Sequence, residues 1–245
     1  MKDFEFESVF GEDYLHFYEE ILTDEVSDRQ VATIGKLVGV GPGIRVLDCP
    51  CGHGRIANRL ARLGAEVVGV DANERFLEVA RQAGTSVDYR LGDMRRLEFD
   101  GEFDLLVNVF TSFGYFDDDT DRKVLAGFRR ALKPGGRLVM DHQNSHRILS
   151  LIAALGGESV AMTEKGDDLL IDRNHYDAVS GRTVTERISV RGGKVRRYPF
   201  SVRVFTPAEL TSWLEHAGFK EVAVFDQEGE PFTLAARRMW VVASA

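Results

Sequence analysis

Cysteine is scarce in this chain of 245 residues: there are two, Cys49 and Cys51, separated by one proline. Two cysteines so close in sequence cannot tie distant parts of a domain together, and without a second pair they make a weak zinc site. We therefore expect no metal ion, reduced thiols and a cytoplasmic protein.

Long apolar runs are missing as well, so the sequence predicts no membrane-spanning segment. Basic residues are outnumbered, because 31 lysines and arginines against 39 acidic residues give a net charge of -8. Nucleic-acid backbones and anionic lipid surfaces both attract an excess of positive charge. The composition therefore argues against nucleic-acid and membrane partners and is that of an ordinary globular domain.

What the chain does contain is an alternation of short β-rich runs and helical patterns. Strands are predicted at 44–47, 66–70, 86–90, 104–109 and 137–142, with helices between most of them. Strand-helix-strand units of this length need parallel strands with right-handed crossovers. The sequence thus predicts an α/β fold built on a Rossmann-like, doubly wound sheet.

Two segments fall outside this alternation. Residues 12–38 are predicted to be helical, and residues 158–205 to form an antiparallel β-meander. A further helix and two closing strands are predicted at the end of the chain. We therefore divide the sequence into an N-terminal helical lid (1–43), a cofactor-binding core (44–145), an inserted antiparallel β subdomain (146–205) and the closing part of the core (206–245).

The first predicted strand ends in a glycine-rich turn, DCPCGHG at residues 48–54. Glycines let a ligand approach the backbone, and the helix that follows offers free amides to a pyrophosphate or to an amino-acid carboxylate. Residues 52–57 also match the G-x-G-x-x-A pattern of dinucleotide-binding oxidoreductases. Asp48 either faces the ligand or caps that helix.

Acidic residues follow the next two predicted strands. Asp71, followed by Ala72, suits the ribose hydroxyls of either kind of ligand. Asp93, followed by Met94, suits the amino group of an adenine. An acid at this third position favours an adenosylmethionine site over a dinucleotide site.

This series of motifs, with KPGG at 133–136, resembles that of the class I S-adenosylmethionine-dependent methyltransferases. The resemblance implies S-adenosylmethionine as cofactor and a seven-stranded sheet whose last strand is antiparallel. It implies that Gly52 and Gly54 pack against the methionine part, Asp71 binds the ribose and Asp93 the adenine, with Met94 beside the ring. The family usually has glycine where this chain has Pro50. The predicted cofactor-binding residues are Tyr14, Tyr18, Asp48, Pro50, Cys51, Gly52, Gly54, Asp71, Ala72, Asp93, Met94 and Val109.

Aromatic side chains are concentrated in two further segments. The first, residues 10–18, either packs on the core or covers the sulfonium, a cation that favours aromatic faces. The second, residues 110–116, follows the fourth strand and is too aromatic for an exposed loop. We expect it to line the acceptor pocket. The predicted substrate-binding residues are Phe10, Phe110, Ser112, Phe113, Tyr115 and Arg203.

A narrower resemblance, carried by residues 13–18, 111–116, 141–144 and 203–210, is to small-molecule N-methyltransferases of natural-product pathways, including aminosugar and lincosamide enzymes. It implies a small-molecule methyl acceptor, with an amine favoured over a hydroxyl. It also implies that the meander covers this acceptor and builds the contacts of a homo-oligomer. Arg203 either turns inward towards an acidic acceptor or belongs to a solvated face.

The predicted catalytic residues are His142, as the base or orienting group, and Asn144 beside it. Their position at the carboxyl end of the fifth strand motivates this assignment, and a buried structural histidine is the alternative. Two other functions stay open at this point. One is a nucleotide-dependent oxidoreductase, and the other is a non-catalytic module that binds adenosylmethionine.

Overall fold

The computed structural model describes residues 6–245, apart from the side chains of Glu7 and Ser8. The first five residues of the predicted lid segment lie outside the described residues. The strands are β1 (Arg45–Asp48), β2 (Glu66–Asp71), β3 (Asp88–Leu91), β4 (Phe103–Asn108), β5 (Leu132–Gln143), β6 (Glu158–Lys165), β7 (Asp168–Asp177), β8 (Arg182–Arg191), β9 (Lys194–Arg203), β10 (Lys220–Phe225) and β11 (Arg238–Ser244). The helices are α1 (Phe6–Val9), α2 (Glu12–Tyr18), α3 (Asp24–Val38), α4 (Ala57–Arg62), α5 (Glu74–Arg81), α6 (Asp118–Ala131), α7 (Ser145–Ala154) and α8 (Pro207–His216), with a short 3-10 helix at Met94–Arg96.

The larger sheet has seven strands in the order β10-β11-β5-β4-β1-β2-β3. Strands β1 to β5 are parallel, and β11 runs antiparallel to both of its neighbours. The prediction of a Rossmann-like sheet with an antiparallel last strand is confirmed. Because the strand order reverses at β1 and β4, a crevice lies beyond the carboxyl ends of these strands.

Helices cover both faces of this sheet, because neighbouring apolar residues of a strand point to opposite faces and both faces must be buried. Val46 packs in a cluster with Ile34 of α3 and Leu60 of α4. Its neighbour Leu47 points to the other face, into a cluster with Phe128 of α6. The result is a three-layer core that holds the carboxyl edge of the sheet rigid.

The predicted β-meander is present as β6 to β9, an antiparallel sheet in chain order. The helix α7 that leads into it was not predicted. The helical segment predicted at 12–38 is divided into α2 and α3, because Thr23 caps α3 by accepting a hydrogen bond from the Val26 amide. No helix within residues 6–245 is long and apolar enough to cross a membrane. The four-part division of the chain remains a prediction.

We expect Phe128→Ala to lower the free energy of unfolding by about 3–5 kcal/mol, because it empties a fully buried position between α6 and the sheet. Urea denaturation followed by circular dichroism measures this loss. Lys123→Ala, an exposed change on the same helix, serves as control and should stay within about 0.5 kcal/mol. Equal losses in the two variants would contradict the packing described here.

Candidate active site

A cavity of about 460 Å³ lies at the carboxyl edge of the larger sheet. It is lined by the loops after β1 to β4, by α2 and by one face of the meander. Most of the residues predicted for cofactor and acceptor meet in it. These are Phe10, Tyr14, Tyr18, Asp48, Pro50, Cys51, Gly52, Asp71, Ala72, Asp93, Met94, Val109, Phe110, Ser112 and Tyr115.

Asp48 ends β1 inside this cavity. Its side chain is buried, and its Oδ2 has no hydrogen-bond partner among the described residues. Burial raises the pKa of Asp48 to about 7 and Asp71 adds to the rise, whereas Arg55 and the Ala57 amide oppose it. The carboxylate thus interacts with the start of α4 and also leaves one oxygen for a ligand.

Asp71 ties the first two loops together. Its Oδ2 accepts a hydrogen bond of 2.7 Å from the Gly52 amide, and its Oδ1 accepts one of 2.9 Å from the Asn73 amide. Burial raises the pKa of this carboxyl, although these amides oppose the rise. Gly52 has φ of 55°, a conformation that glycine adopts without strain. The remaining lone pairs of Asp71 suit hydroxyl donors.

Asp93 differs from Asp48 and Asp71 because its carboxylate already accepts hydrogen bonds from a neighbouring side chain. Arg95 Nε and Nη2 lie 2.8 and 2.6 Å from Asp93 Oδ2. Burial tends to raise the pKa of Asp93, but the hydrogen bonds from Arg95 outweigh it and hold the pKa below its usual value. An adenine amino group would have to share this carboxylate with Arg95.

The aromatic side chains of the lid line the same cavity. Tyr14 and Tyr18 stack with ring centroids 4.1 Å apart, and Phe10 packs edge-on against Tyr115 at 5.4 Å. Burial raises the pKa of the Tyr14 hydroxyl, which therefore stays protonated. Phe17 is fully buried. Phe17 thus anchors α2 in the core while the other rings face the cavity, and covering of the sulfonium stays a prediction.

The loop after β4 is held in an unusual backbone conformation. Phe110 and Thr111 have φ values of 69° and 57°, which are rare for residues other than glycine. Asp141 Oδ2 accepts a hydrogen bond of 3.0 Å from the Phe110 amide, and the Asp141 carbonyl accepts one of 2.8 Å from the Thr111 amide. This strain is maintained beside the cavity, where it fixes the ring of Phe110.

Two arginines that the sequence reasoning missed also line the cavity, Arg55 and Arg238. Their guanidinium carbons lie 5.3 and 5.5 Å from the Phe110 ring centroid. Arg55 donates a hydrogen bond to Gln30, and Arg238 Nε donates one of 2.7 Å to Asp141. Because β11 is antiparallel, its first residue lies at the carboxyl edge of the parallel strands. The antiparallel direction of β11 could therefore have identified Arg238 as a residue near the site.

The structure places both predicted catalytic residues outside the cavity lining. His142 is buried, with its Nε2 3.2 Å from the Phe113 carbonyl oxygen. Burial lowers its pKa to about 4, and Arg238 contributes to the decrease. Asn144 caps α7 by accepting from the His146 amide at 3.0 Å. The placement therefore favours the structural alternative for His142 and gives Asn144 a capping role.

Three further predicted residues also lie outside the cavity lining. Phe113 is buried against Phe205, with ring centroids 5.4 Å apart. Arg203 forms an ion pair of 3.2 Å with Asp118, on the face of the meander that points away from the cavity. Gly54 packs against β3, and a Cβ there would lie 2.3 Å from the Tyr89 hydroxyl oxygen. Each of them supports the site without facing a ligand.

The other basic residues of the meander are not simply solvated. Asp13 of α2 lies 3.2 Å from Arg191 and 3.1 Å from Arg196, and it accepts a hydrogen bond from the Tyr198 hydroxyl. Burial opposes ionisation of Asp13, but the polar and basic side chains around it lower its pKa. These contacts fasten the lid helix to the meander.

Comparison with known proteins matches residues 46–136 to the model of a methyltransferase domain. A ubiquinone biosynthesis O-methyltransferase from Roseobacter denitrificans is 39% identical over 123 residues, and the chain spans about half of its length (48% of each protein). The CcbJ methyltransferase of Streptomyces caelestis superposes with a TM-score of 0.78 at 24% identity, covering 98% of both chains. An amino pentose methyltransferase from Micromonospora echinaspora, solved with S-adenosylmethionine bound, has a TM-score of 0.60 at 20% identity over 90% of this chain and 89% of its own.

Residues 46–136, in the core of this chain, thus resemble a methyltransferase domain. The polar groups of the cavity fit S-adenosylmethionine, the cofactor bound in the amino pentose methyltransferase. The Asp48 carboxylate offers an acceptor for the ammonium, and Arg55 and Arg238 offer donors for the carboxylate. Asp71 suits the ribose hydroxyls, and the paired rings of Tyr14 and Tyr18 suit the sulfonium.

We expect Asp71→Ala to weaken binding of S-adenosylmethionine by the methyltransferase domain at least about tenfold, since a buried charged hydrogen-bond acceptor is lost. Asp167→Ala, in an exposed turn of the meander, should leave the affinity unchanged. Isothermal titration calorimetry compares the two variants. Equal effects would contradict the role given to Asp71.

Asp48 should make cofactor binding depend on pH. Its pKa is raised to about 7 in the folded chain, so without ligand its ionisation lowers stability as pH rises from about 4 to about 7. A cationic ligand group prefers the ionised form. S-adenosylmethionine affinity should therefore increase between about pH 6 and about pH 8, and less so in Asp48→Asn. Calorimetry at both pH values measures this, and identical profiles for the two proteins would refute it.

Proposed function

We propose that this chain transfers the methyl group of S-adenosylmethionine to an amine of a small molecule. The observation that carries the proposal is the continuity of one cavity. It joins the acids at the ends of β1 to β3 to the aromatic loop after β4 and to the polar face of the meander. A cofactor bound at the sheet edge would therefore share its enclosure with a second molecule.

When bound, S-adenosylmethionine supplies an activated methyl carbon that a nucleophile takes by in-line displacement, as the carbon-sulfur bond breaks. The protein's share of such a reaction is to position the reactants and exclude water. Phe10, Tyr14 and Tyr18 shield the cavity from the lid side. The Phe110 ring, fixed by the strained loop after β4, gives the cavity a rigid wall.

The groups around the acceptor favour an amine over a hydroxyl. An unprotonated amine needs no base, whereas a hydroxyl does. Of the described residues that line the cavity, His53 is the one histidine, and it lies in the cofactor loop with its pKa lowered to about 4 by burial. Burial also raises the pKa of the Tyr115 hydroxyl. Transfer to a hydroxyl is the alternative, motivated by the name of the Roseobacter relative.

We further propose a pathway, a cellular compartment and an oligomeric state for the protein. The fold shared with an enzyme of calicheamicin biosynthesis supports a natural-product pathway. The buried, free thiols of Cys49 and Cys51 suit a reducing cytoplasm.

Val160 and Met162 on the edge strand β6 are exposed. An apolar sheet edge of this kind supports a homo-oligomer formed through the β subdomain.

Incubation with S-adenosylmethionine and matched panels of small amines and alcohols tests the reaction. We expect S-adenosylhomocysteine and methylated amines by mass spectrometry, and a strongly reduced yield with Asp71→Ala. Methylation of alcohols alone would contradict the preference for amines. Cofactor binding without turnover on any panel would favour the non-catalytic module. Thermal protection by a nicotinamide dinucleotide, but not by S-adenosylmethionine, would favour the oxidoreductase.

A further inference from the structure

One carboxylate lines the cavity from the meander. Of the acids among the described lining residues, Asp48, Asp71 and Asp93 follow strands of the larger sheet, whereas Asp172 lies on β7. Its side chain is about four-fifths buried, at 20% exposure. Asp172 therefore reaches the cavity from the meander and not from the carboxyl edge of the larger sheet.

Arg187 holds this carboxylate in place. The two residues are directly opposite each other on β7 and β8. Arg187 Nε donates a hydrogen bond of 2.7 Å to Asp172 Oδ1, and Nη2 donates one of 2.7 Å to Oδ2. The guanidinium also donates to the Tyr18 hydroxyl at 2.8 Å and lies 5.1 Å from the Phe200 ring centroid. The buried arginine thus orients the acid and connects it to the lid.

The pair is hard to explain as a device for stability. Taking two charges out of water costs free energy that their attraction offsets only partly, and apolar residues of similar volume often serve a fold equally well. Each carboxylate oxygen accepts one bond from Arg187 and keeps a lone pair, so a ligand donor can still bind. A fixed, partly exposed acceptor on a cavity wall is what recognition of an N–H donor requires.

The neighbouring residues on the same sheet face add polar and apolar groups. The Thr185 hydroxyl donates to Asn174 Oδ1 at 2.7 Å, in the next cross-strand row. Thr183 Oγ1 is buried and has no hydrogen-bond partner among the described residues. Phe200 and Val202 give this face an apolar side. The face suits a ring that carries polar substituents.

Building on the proposed function, we propose that Asp172 binds a cationic amino group of the methyl acceptor, separate from the unprotonated amine that takes the methyl group, and selects for amine-bearing rings. Arg187 is a positioning residue, because it acts through the carboxylate that it orients. This contact determines which chemical class of acceptor binds. Asp172 takes no part in cofactor binding.

Three probes with one ring and different charge test the assignment: cyclohexylamine, cyclohexanol and cyclohexanecarboxylate. Each is titrated calorimetrically into the full chain saturated with S-adenosylhomocysteine. We expect cyclohexylamine to bind at least about tenfold more tightly than cyclohexanecarboxylate, the low end for a hydrogen bond to a charged group. An amine that binds no more tightly than the carboxylate overturns the proposal.

Substitutions of Asp172 and Arg187 test the roles of the two residues separately. Asp172→Asn leaves Arg187 without its counter-ion, so the preference should reverse towards cyclohexanecarboxylate. Asp172→Asn combined with Arg187→Gln removes both charges and should abolish any preference. Glu186→Gln is the matched control, because Glu186 lies on the opposite face of β8, paired with Arg197 at 2.7 Å. A cyclohexylamine preference that survives in Asp172→Asn also overturns the assignment.

The affinity for S-adenosylhomocysteine is measured first in every variant. It separates a failure of the proposed function from a failure of the role given to Asp172. Variants that keep this affinity within about twofold are folded and have an intact cofactor site. An unmodified protein that binds no S-adenosylhomocysteine rejects the proposed function and this inference together. A protein that binds it but shows no charge preference rejects the role of Asp172 alone.

Discussion

The buried carboxylate of Asp141 is the interaction on which the rest of the site depends. Its side chain is fully buried, and it accepts hydrogen bonds from Arg238 of β11, from Gln30 of α3 and from the Phe110 amide. The strained residues of the loop cost about 1–3 kcal/mol each. Without this carboxylate the loop would relax, and the Phe110 ring would lose its contacts with the Arg55 and Arg238 guanidinium groups. Helix α3, the strained loop after β4 and strand β11 therefore have a common anchor.

The acids of the site differ in how far the protein satisfies them, and this difference has a functional meaning. Asp141 has three donors, and Asp71 has two backbone amides. Asp48 keeps an oxygen without a partner, and its pKa is raised by burial. Burial of an unsatisfied charge is costly. A cationic ligand group beside Asp48 would remove this cost, so the site is suited to such a ligand rather than optimised for stability.

The convergence of Asp48, Asp71 and Asp93 on one cavity could be predicted from sequence, because parallel strands all end at one edge of the sheet. Their contacts with a cofactor remain a prediction. Side-chain alternation explains why other predicted residues lie outside the cavity lining, since residues i and i+2 share a face. His142 shares a face with Met140 and packs into the same core, whereas the Asp141 side chain accepts hydrogen bonds from Arg238 and the Phe110 amide.

The same alternation explains Arg203. Its neighbour Val202 lines the cavity, so Arg203 points to the opposite face. Gly54 follows the predicted motif, but its lack of a side chain serves the packing of α4 against β3. Arg55 and Asp141 were missed for another reason. Their roles depend on residues such as Gln30 and Phe110, which are distant in sequence and meet only in the folded chain.

The two halves of the cavity are built on different structural principles, and this bears on how related enzymes come to act on different molecules. The cofactor half consists of loops whose glycines and acids are constrained by backbone contacts, as at Asp71 and Gly52. The acceptor half is a sheet face, on which alternate residues such as Asp172 and Asn174 are exchangeable without a change of backbone. In the proposed function the loops therefore fix the cofactor geometry, while a few side chains of the sheet face set the acceptor chemistry. The amino pentose methyltransferase shares this fold, and the Roseobacter relative matches half of the chain in sequence.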